Sequence, residues 1–198
     1  PGYHVVGGAP RGLHVTHVHP GDDWDIVVAN ADDGTVQVLD GAGDGVFSVS
    51  APIAVGTRPV HVASADFDFN DETDLVIADQ ASDTLVLLSQ NAGVFAEPEA
   101  YEAGAAPRAV AAVDVDGGGS PDALVLAEDA DSLALRPGDG DLSLGGEIVY
   151  ASPDVPRSLS VANIDGGARP DFVSAQFGSD AVRVRLGADG PALGATQL

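Results

Sequence analysis

Four prolines, Pro10, Pro59, Pro107 and Pro156, recur at intervals of 49, 48 and 49 residues, and four aspartates, Asp25, Asp74, Asp122 and Asp171, keep the same spacing. A chain spaced in this way repeats one supersecondary unit four times, and each unit has to bury its apolar face against the next. The reading is a single domain over residues 1–198. Its repeats run approximately 9–56, 57–104, 105–153 and 154–198, with residues 1–8 completing the last of them.

Within the second copy, Val60–Ala65 is β-prone, the polar stretch Asp66–Asp74 follows, and Leu75–Ala78 is a short apolar run. Turn residues then lead to Thr84–Leu88, and Asn91-Ala92-Gly93 turns the chain into Val94–Glu97, the expected outer strand. Four strands of about five residues joined by tight turns make a meander. Helical periodicity and helix caps are missing throughout. The sequence therefore predicts an all-β fold, a β-propeller of four repeats with four antiparallel strands per blade. Its ring is closed within the chain or completed by a second chain.

The motif that each copy repeats is a proline beside an arginine, a strand, an Asp-x-Asp-x-Asn-x-x-x-Asp loop in its fullest form, an apolar strand, and a Gly-x-Phe turn as at Gly45-Val46-Phe47 and Gly93-Val94-Phe95. This pattern resembles the FG-GAP or VCBS-type repeat and is similar to the blades of integrin α-subunit propellers and of many secreted bacterial proteins. The resemblance implies a calcium loop in which side chains at positions 1, 3, 5 and 9 and the carbonyl of position 7 hold the ion. Calcium is a hard cation that takes six to eight oxygens, which a short loop rich in carboxylates can supply.

Carried onto this chain, the second copy supplies Asp66, Asp68, Asn70 and Asp74, with Glu72 lending its carbonyl. Position 6 of that loop calls for a left-handed backbone and is Asp71, a residue that tolerates it. The third copy offers Asp114, Asp116 and Asp122, with the carbonyl of Ser120 and Gly118 at position 5. The fourth offers Asn163, Asp165 and Asp171, with Gly167 at position 5 and Arg169 at position 7. In the first copy His17 and His19 stand at positions 1 and 3. Imidazole suits zinc, copper or nickel better than calcium, so this pair is a candidate transition-metal site beside the alternative of a loop held by hydrogen bonds alone.

Trp24, the chain's one tryptophan, occupies position 8 of the first loop. An exposed aromatic can anchor a partner, and Trp24, His17 and His19 are the candidate contact residues. The arginines beside the blade prolines, Arg11, Arg58, Arg108 and Arg157, read as partners for neighbouring acidic loops.

Thirty-one acidic residues against eight arginines give a formal charge of −23, which repels nucleic acid and anionic membrane surfaces. No cysteine is present, so disulfides, zinc–thiolate sites and thiol catalysis are excluded. Nucleophile-elbow, zinc-protease and phosphate-loop signatures are lacking, and the chain reads as a non-enzyme. The resemblance implies a calcium-binding module at an extracellular, periplasmic or cell-surface location. It would contact another protein or serve a structural role, with a homo-oligomer possible. A propeller-type lectin that binds glycan is the alternative, and a polysaccharide hydrolase or lyase stands behind both.

Overall fold

In the computed structural model, which describes residues 3–19, 21, 23–188 and the backbone of 196–197, the chain folds into four antiparallel meander sheets. There is no helix among the described residues. The first sheet contains β1 (Pro10–Thr16), β2 (Asp25–Asn30) and β3 (Thr35–Gly41), and two short strands, β4 (Phe47–Val49) and β5 (Ile53–Ala54), both pair with β3. The second contains β6 (Pro59–Ala65), β7 (Asp74–Asp79) and β8 (Thr84–Leu88). Between β8 and its outer strand stand β9 (Gln90–Asn91) and β10 (Val94–Phe95), which form a small separate hairpin, and β11 (Glu99–Glu102) is the outer strand itself. The third is β12 (Pro107–Val113), β13 (Asp122–Ala127), β14 (Ser132–Arg136) and β15 (Ile148–Ala151). The fourth is β16 (Pro156–Ala162), β17 (Asp171–Gln176), β18 (Ala181–Arg185) and β19 (Thr196–Gln197).

The outer strand of the second sheet is thus not Val94–Glu97. Ala92 and Gly93 both take positive φ, 52° and 75°, and this tight turn folds Val94–Phe95 back onto Gln90–Asn91. The chain reaches β8 only after Pro98, where Glu99–Glu102 pairs with it.

Sheets stack face to face in series. Val27, Ala29, Val36 and Val38 of the first sheet pack on Val62, Leu75, Ile77, Val86 and Leu88 of the second. Val76, Ala78, Leu85 and Leu87 from the other face of the second meet Val110, Ala123 and Val125 of the third. Leu124, Leu126, Leu133 and Leu135 of the third then meet Phe172 of the fourth. Alternate residues of β7 therefore serve two cores, which is why that strand reads as a continuous apolar run. Truncating a residue such as Leu124 to alanine costs roughly 2–5 kcal/mol in a core packed this way.

The two ends of the stack differ from its middle. Leu13 on β1 is 66% exposed and Val182 on β18 is 64% exposed, whereas the equivalent Val62 and Leu85 are buried by the neighbouring sheet. The head of the chain lies against the first sheet. Gly7 N–H donates to Gln37 Oε1 and Gly8 N–H to Asp33 Oδ2, while the fourth strand of the last sheet is β19 at the chain's end. Through its described part, Tyr3–Gly8, the head does not join the last sheet as expected. Residues 1, 2 and 189–195 lie outside the described residues.

Candidate metal centre

Four loops, Thr16–Asp25 and its equivalents, connect the first strand of each sheet to the second, and one aspartate closes each of them. Asp25, Asp74, Asp122 and Asp171 open β2, β7, β13 and β17 and are all buried. One carboxylate oxygen accepts the N–H seven residues back, from Val18, Phe67, Val115 or Ile164, at 2.6–2.8 Å. The other accepts the N–H sixteen residues on, from Gly41, Gln90, Gly138 or Gly187, at 2.8–2.9 Å. Each aspartate therefore clamps its loop to the end of the third strand. Three of these distal partners are glycine for a steric reason. A Cβ on Gly41, Gly138 or Gly187 would collide with the carbonyl of the loop residue preceding the aspartate, Trp24, Pro121 or Pro170.

In the second loop the carboxylates of Asp66, Asp68 and Asp74 converge, with one oxygen from each within 4.8 Å of the others. The chain is bent around them by Phe69 and Asp71, at φ 58° and 65°, so the left-handed position expected at Asp71 is present. Backbone donors hold the acids in place: Asp66 accepts from Asn70 and Asp71 at 3.1 and 2.9 Å, and Asp68 accepts from Asn70 at 3.2 Å. Burial, then the adjacent Asp66 carboxylate, raises the Asp68 pKa against the Asn70 donor. Burial also raises Asp74, with the charges of Asp68 and Asp66 adding to it against its two N–H donors. Three carboxylates crowded to this degree make a donor set of the kind that hard divalent cations take, and a cation among them would offset their repulsion.

One expected donor, Asn70, stands differently. Asn70 faces Asp68 with its amide nitrogen, Nδ2 to Oδ2 at 3.3 Å, while its Oδ1 accepts Glu72 N–H at 2.7 Å. Its oxygen would join the carboxylates only after the amide turned over. The carbonyl is the donor expected of Glu72, and its side-chain carboxylate accepts Gly93 N–H at 3.2 Å.

Asp114, Asp116 and Asp122 converge in the third loop in the same way. Asp114 accepts Gly117 and Gly119 N–H at 2.5 and 3.0 Å, and both glycines have positive φ. Burial raises the Asp122 pKa, and the nearby Asp116 adds to it. The guanidinium of Arg169, from the fourth loop, covers Gly117 of the third, where a Cβ would clash with it. Ser120 lies beside Gly140, its hydroxyl 3.0 Å from where a Cβ there would stand. In the fourth loop Asn163 is turned into the loop itself, donating to the Gly167 carbonyl at 2.6 Å and accepting from Gly166 at 2.7 Å. Asp165 and Asp171 are left as its two carboxylates. Asp171 is held low by N–H donors from Gly187 and Ile164.

The first loop does not bring His17 and His19 together. His17 Nδ1 contacts the Asp23 carbonyl at 2.9 Å, and its ring lies on Trp24 with centroids 4.0 Å apart. His19 turns instead to Asp40 and Asp25, with Nδ1 at 3.2 and 3.7 Å from their carboxylates. Asp40 was missed by sequence reasoning. The signal lay in its position, one residue before the Gly41 that donates to Asp25. One imidazole and two carboxylates form a mixed donor set of the type borderline metals take. Trp24 is 58% exposed, so it is not packed inside its own sheet.

No protein-family model matches this chain, and no curated protein does either. Solved structures do. An Agrocybe aegerita lectin that specifically recognises non-reducing terminal N-acetylglucosamine is similar at a TM-score of 0.61 and 15% identity, over 94% of this chain and 52% of its own. BBS1N in complex with ARL6DN is similar at 0.63 and 12%, over 96% and 58%. A functionally unknown protein from Desulfotomaculum acetoxidans is similar at 0.52 and 11%, over 91% and 66%. The chain thus spans between half and two thirds of the length of these structures. At such identities the likeness shows the fold alone, a β-propeller-like array of antiparallel sheets.

Proposed function

We propose that this chain is a calcium-stabilised recognition module of the FG-GAP/VCBS type that works outside the cytoplasm and carries out no turnover. The observation that carries this reading is the convergence of Asp66, Asp68 and Asp74 in a loop bent by a left-handed Asp71. Asp114, Asp116 and Asp122 repeat it one sheet on. Millimolar calcium outside the cell would keep such loops loaded even at modest affinity, since extracellular modules bind in the range of about 10⁻⁴–10⁻³ M. The loops then present a rigid edge, and the exposed Trp24 stacked on His17 is the anchor for another protein. Trp24→Ala, which leaves the clamp of Asp25 in place, tests that contact.

The uncovered apolar ends, Leu13 and Val15 on β1 and Val182 on β18, support completion of the ring from outside these 198 residues, in the simplest case by a second copy. Light scattering at rising concentration tests this. A dimer that Leu13→Asp dissociates upholds it, and a monomer at all concentrations rejects it.

A glycan-binding role is the second reading. It is favoured by the likeness to a lectin that recognises terminal N-acetylglucosamine, and by an exposed aromatic able to stack on a sugar. A glycan array decides between them, because saturable sugar binding would favour the lectin and its absence the protein-docking module.

A further inference from the structure

The first strand of every sheet breaks register at the same place. Pairing skips one residue between Pro10 and Gly12, Pro59 and His61, Pro107 and Ala109, and Pro156 and Ser158. A bulge of this kind frees one residue from the ladder and re-aims its side chain. The four freed residues are Arg11, Val60, Arg108 and Arg157, and all four line a single hollow of about 280 Å³ together with His61 and Gln80.

That hollow is lined by three guanidiniums and no carboxylate, in a chain with 31 acidic residues and only eight basic ones. It opens beside a wider one of about 560 Å³, to which Arg108 and Arg157 also contribute, with Arg58 added and Asp83, Glu128 and Asp129 on its wall. Among the described residues one carboxylate compensates the group. Glu128 Oε2 lies 2.9 Å from Arg108 and Oε1 lies 2.8 Å from Arg157. Phe177 further steadies Arg157, whose guanidinium stands 4.3 Å over the ring. Glu128 thus orients two arginines and neutralises one charge, while Arg11 and Arg58 form no ion pair within 4.0 Å among the described residues. The Nε of Arg58 is buried without a hydrogen-bond partner.

We propose that this hollow binds a small molecule through an oxyanion group, a carboxylate, sulfate or phosphate. Guanidinium forks match both the planar and the tetrahedral anion, and two of the forks here are already fixed in place. The site sits at the proline end of the first strands, about 20 Å along β1 from the acidic loop. Its occupation is therefore separable from that of the metal loops.

Sulfate, inorganic phosphate and D-glucuronate, each titrated at constant ionic strength against chloride, are the probes, read by calorimetry and by the arginine Nε–Hε resonances. At least one should bind saturably and shift Arg11, Arg108 and Arg157 together. Which one saturates first tells a tetrahedral anion from a carboxylate. Arg11→Gln, at an exposed side chain in no ion pair, should keep the melting temperature and weaken binding about tenfold, the loss of one charge-assisted contact. The Arg11→Gln/Arg157→Gln pair should abolish binding, with calcium binding unaffected in either variant. The proposal is overturned if none of the three anions shifts these resonances beyond chloride, or if both variants bind as tightly as the parent.

Discussion

Asp25 and Asp74 open the second strands of neighbouring sheets and accept N–H donors from two equivalent positions, Val18 and Gly41 or Phe67 and Gln90, with His19 a third at Asp25, yet their acidities move in opposite directions. Burial works to raise both. At Asp25 it is overcome by N–H donors from Gly41, His19 and Val18 and by the His19 charge, and the pKa is lowered. At Asp74 it prevails, because Asp68 and Asp66 add negative charge beside it. The clamp is thus scaffold, common to all four loops, and what distinguishes a loop is the pair at its first and third positions. Acids there create a crowded cluster of three carboxylates, whereas in the first loop one imidazole, His19, stands among the carboxylates of Asp25 and Asp40.

The clamp should give the largest effects. Asp25→Ala strands the backbone N–H groups of Val18, His19 and Gly41, and Asp74→Ala those of Phe67 and Gln90, each worth about 1–3 kcal/mol when buried and unpaired. Urea unfolding without calcium should show losses of roughly 2–6 kcal/mol in both variants. A loss confined to Asp74→Ala would break the equivalence of the two loops.

Calcium should come next. With free ion at 100 times its dissociation constant, one site stabilises the fold by about 2.7 kcal/mol. Differential scanning calorimetry should show that Asp68→Ala forfeits most of the gain and Asp165→Ala little of it. Equal losses from both would mean that the fourth loop binds as well as the second.

Acid unfolding sharpens the contrast further. The folded-state pKa of Asp25 lies below the ordinary 3.8, so its contribution is present above that value and disappears as pH falls through the lowered one. For Asp74 the folded value lies above 3.8, so its contribution is full below 3.8 and declines as pH rises through the raised value. In calcium-free buffer from about pH 3 to 6, Asp25→Asn should flatten the loss of stability on the acid side, and Asp74→Asn should flatten the decline on the other. Matching profiles for the two variants would refute opposite shifts.

Trp24→Ala should be the mildest change to the fold, within about 0.5 kcal/mol by thermal melting, because the ring is more than half exposed. Its effect should fall on partner affinity, by more than about 1 kcal/mol in a binding titration. Melting of the variant without a separate binding defect would make the residue structural.

Much of the fold was legible because its cause is local. Strand propensity and short apolar runs placed β6, β7 and β8 within a residue of where they lie, and β8 falls on Thr84–Leu88 as read. The outer strands were not, because their partner lies across a loop. Val94–Phe95 has strand propensity, but the turn at Ala92-Gly93 hands it a nearer partner in Gln90–Asn91. The acids of the second and third loops were legible from spacing, whereas the double duty of Asp74 was not. A periodic aspartate looks the same whether it binds an ion or two backbone amides. Its recurrence as Asp25, in a loop with histidines at the ligand positions, was the clue. The arginine hollow depends on strand bulges, which no spacing rule reports, and the signal for Asp40 was its place one residue before Gly41.

The most direct measurement is a calorimetric titration of calcium into chelator-stripped protein, run in parallel on the parent, Asp66→Ala/Asp68→Ala and His17→Asp/His19→Asp. The parent should show saturable binding whose tightest component vanishes in the first variant. The second variant, which gives the first loop acids at positions 1 and 3 above the existing Asp25 clamp, should gain a site. Calcium heats unchanged by loss of Asp66 and Asp68 would contradict a metal centre in the second loop.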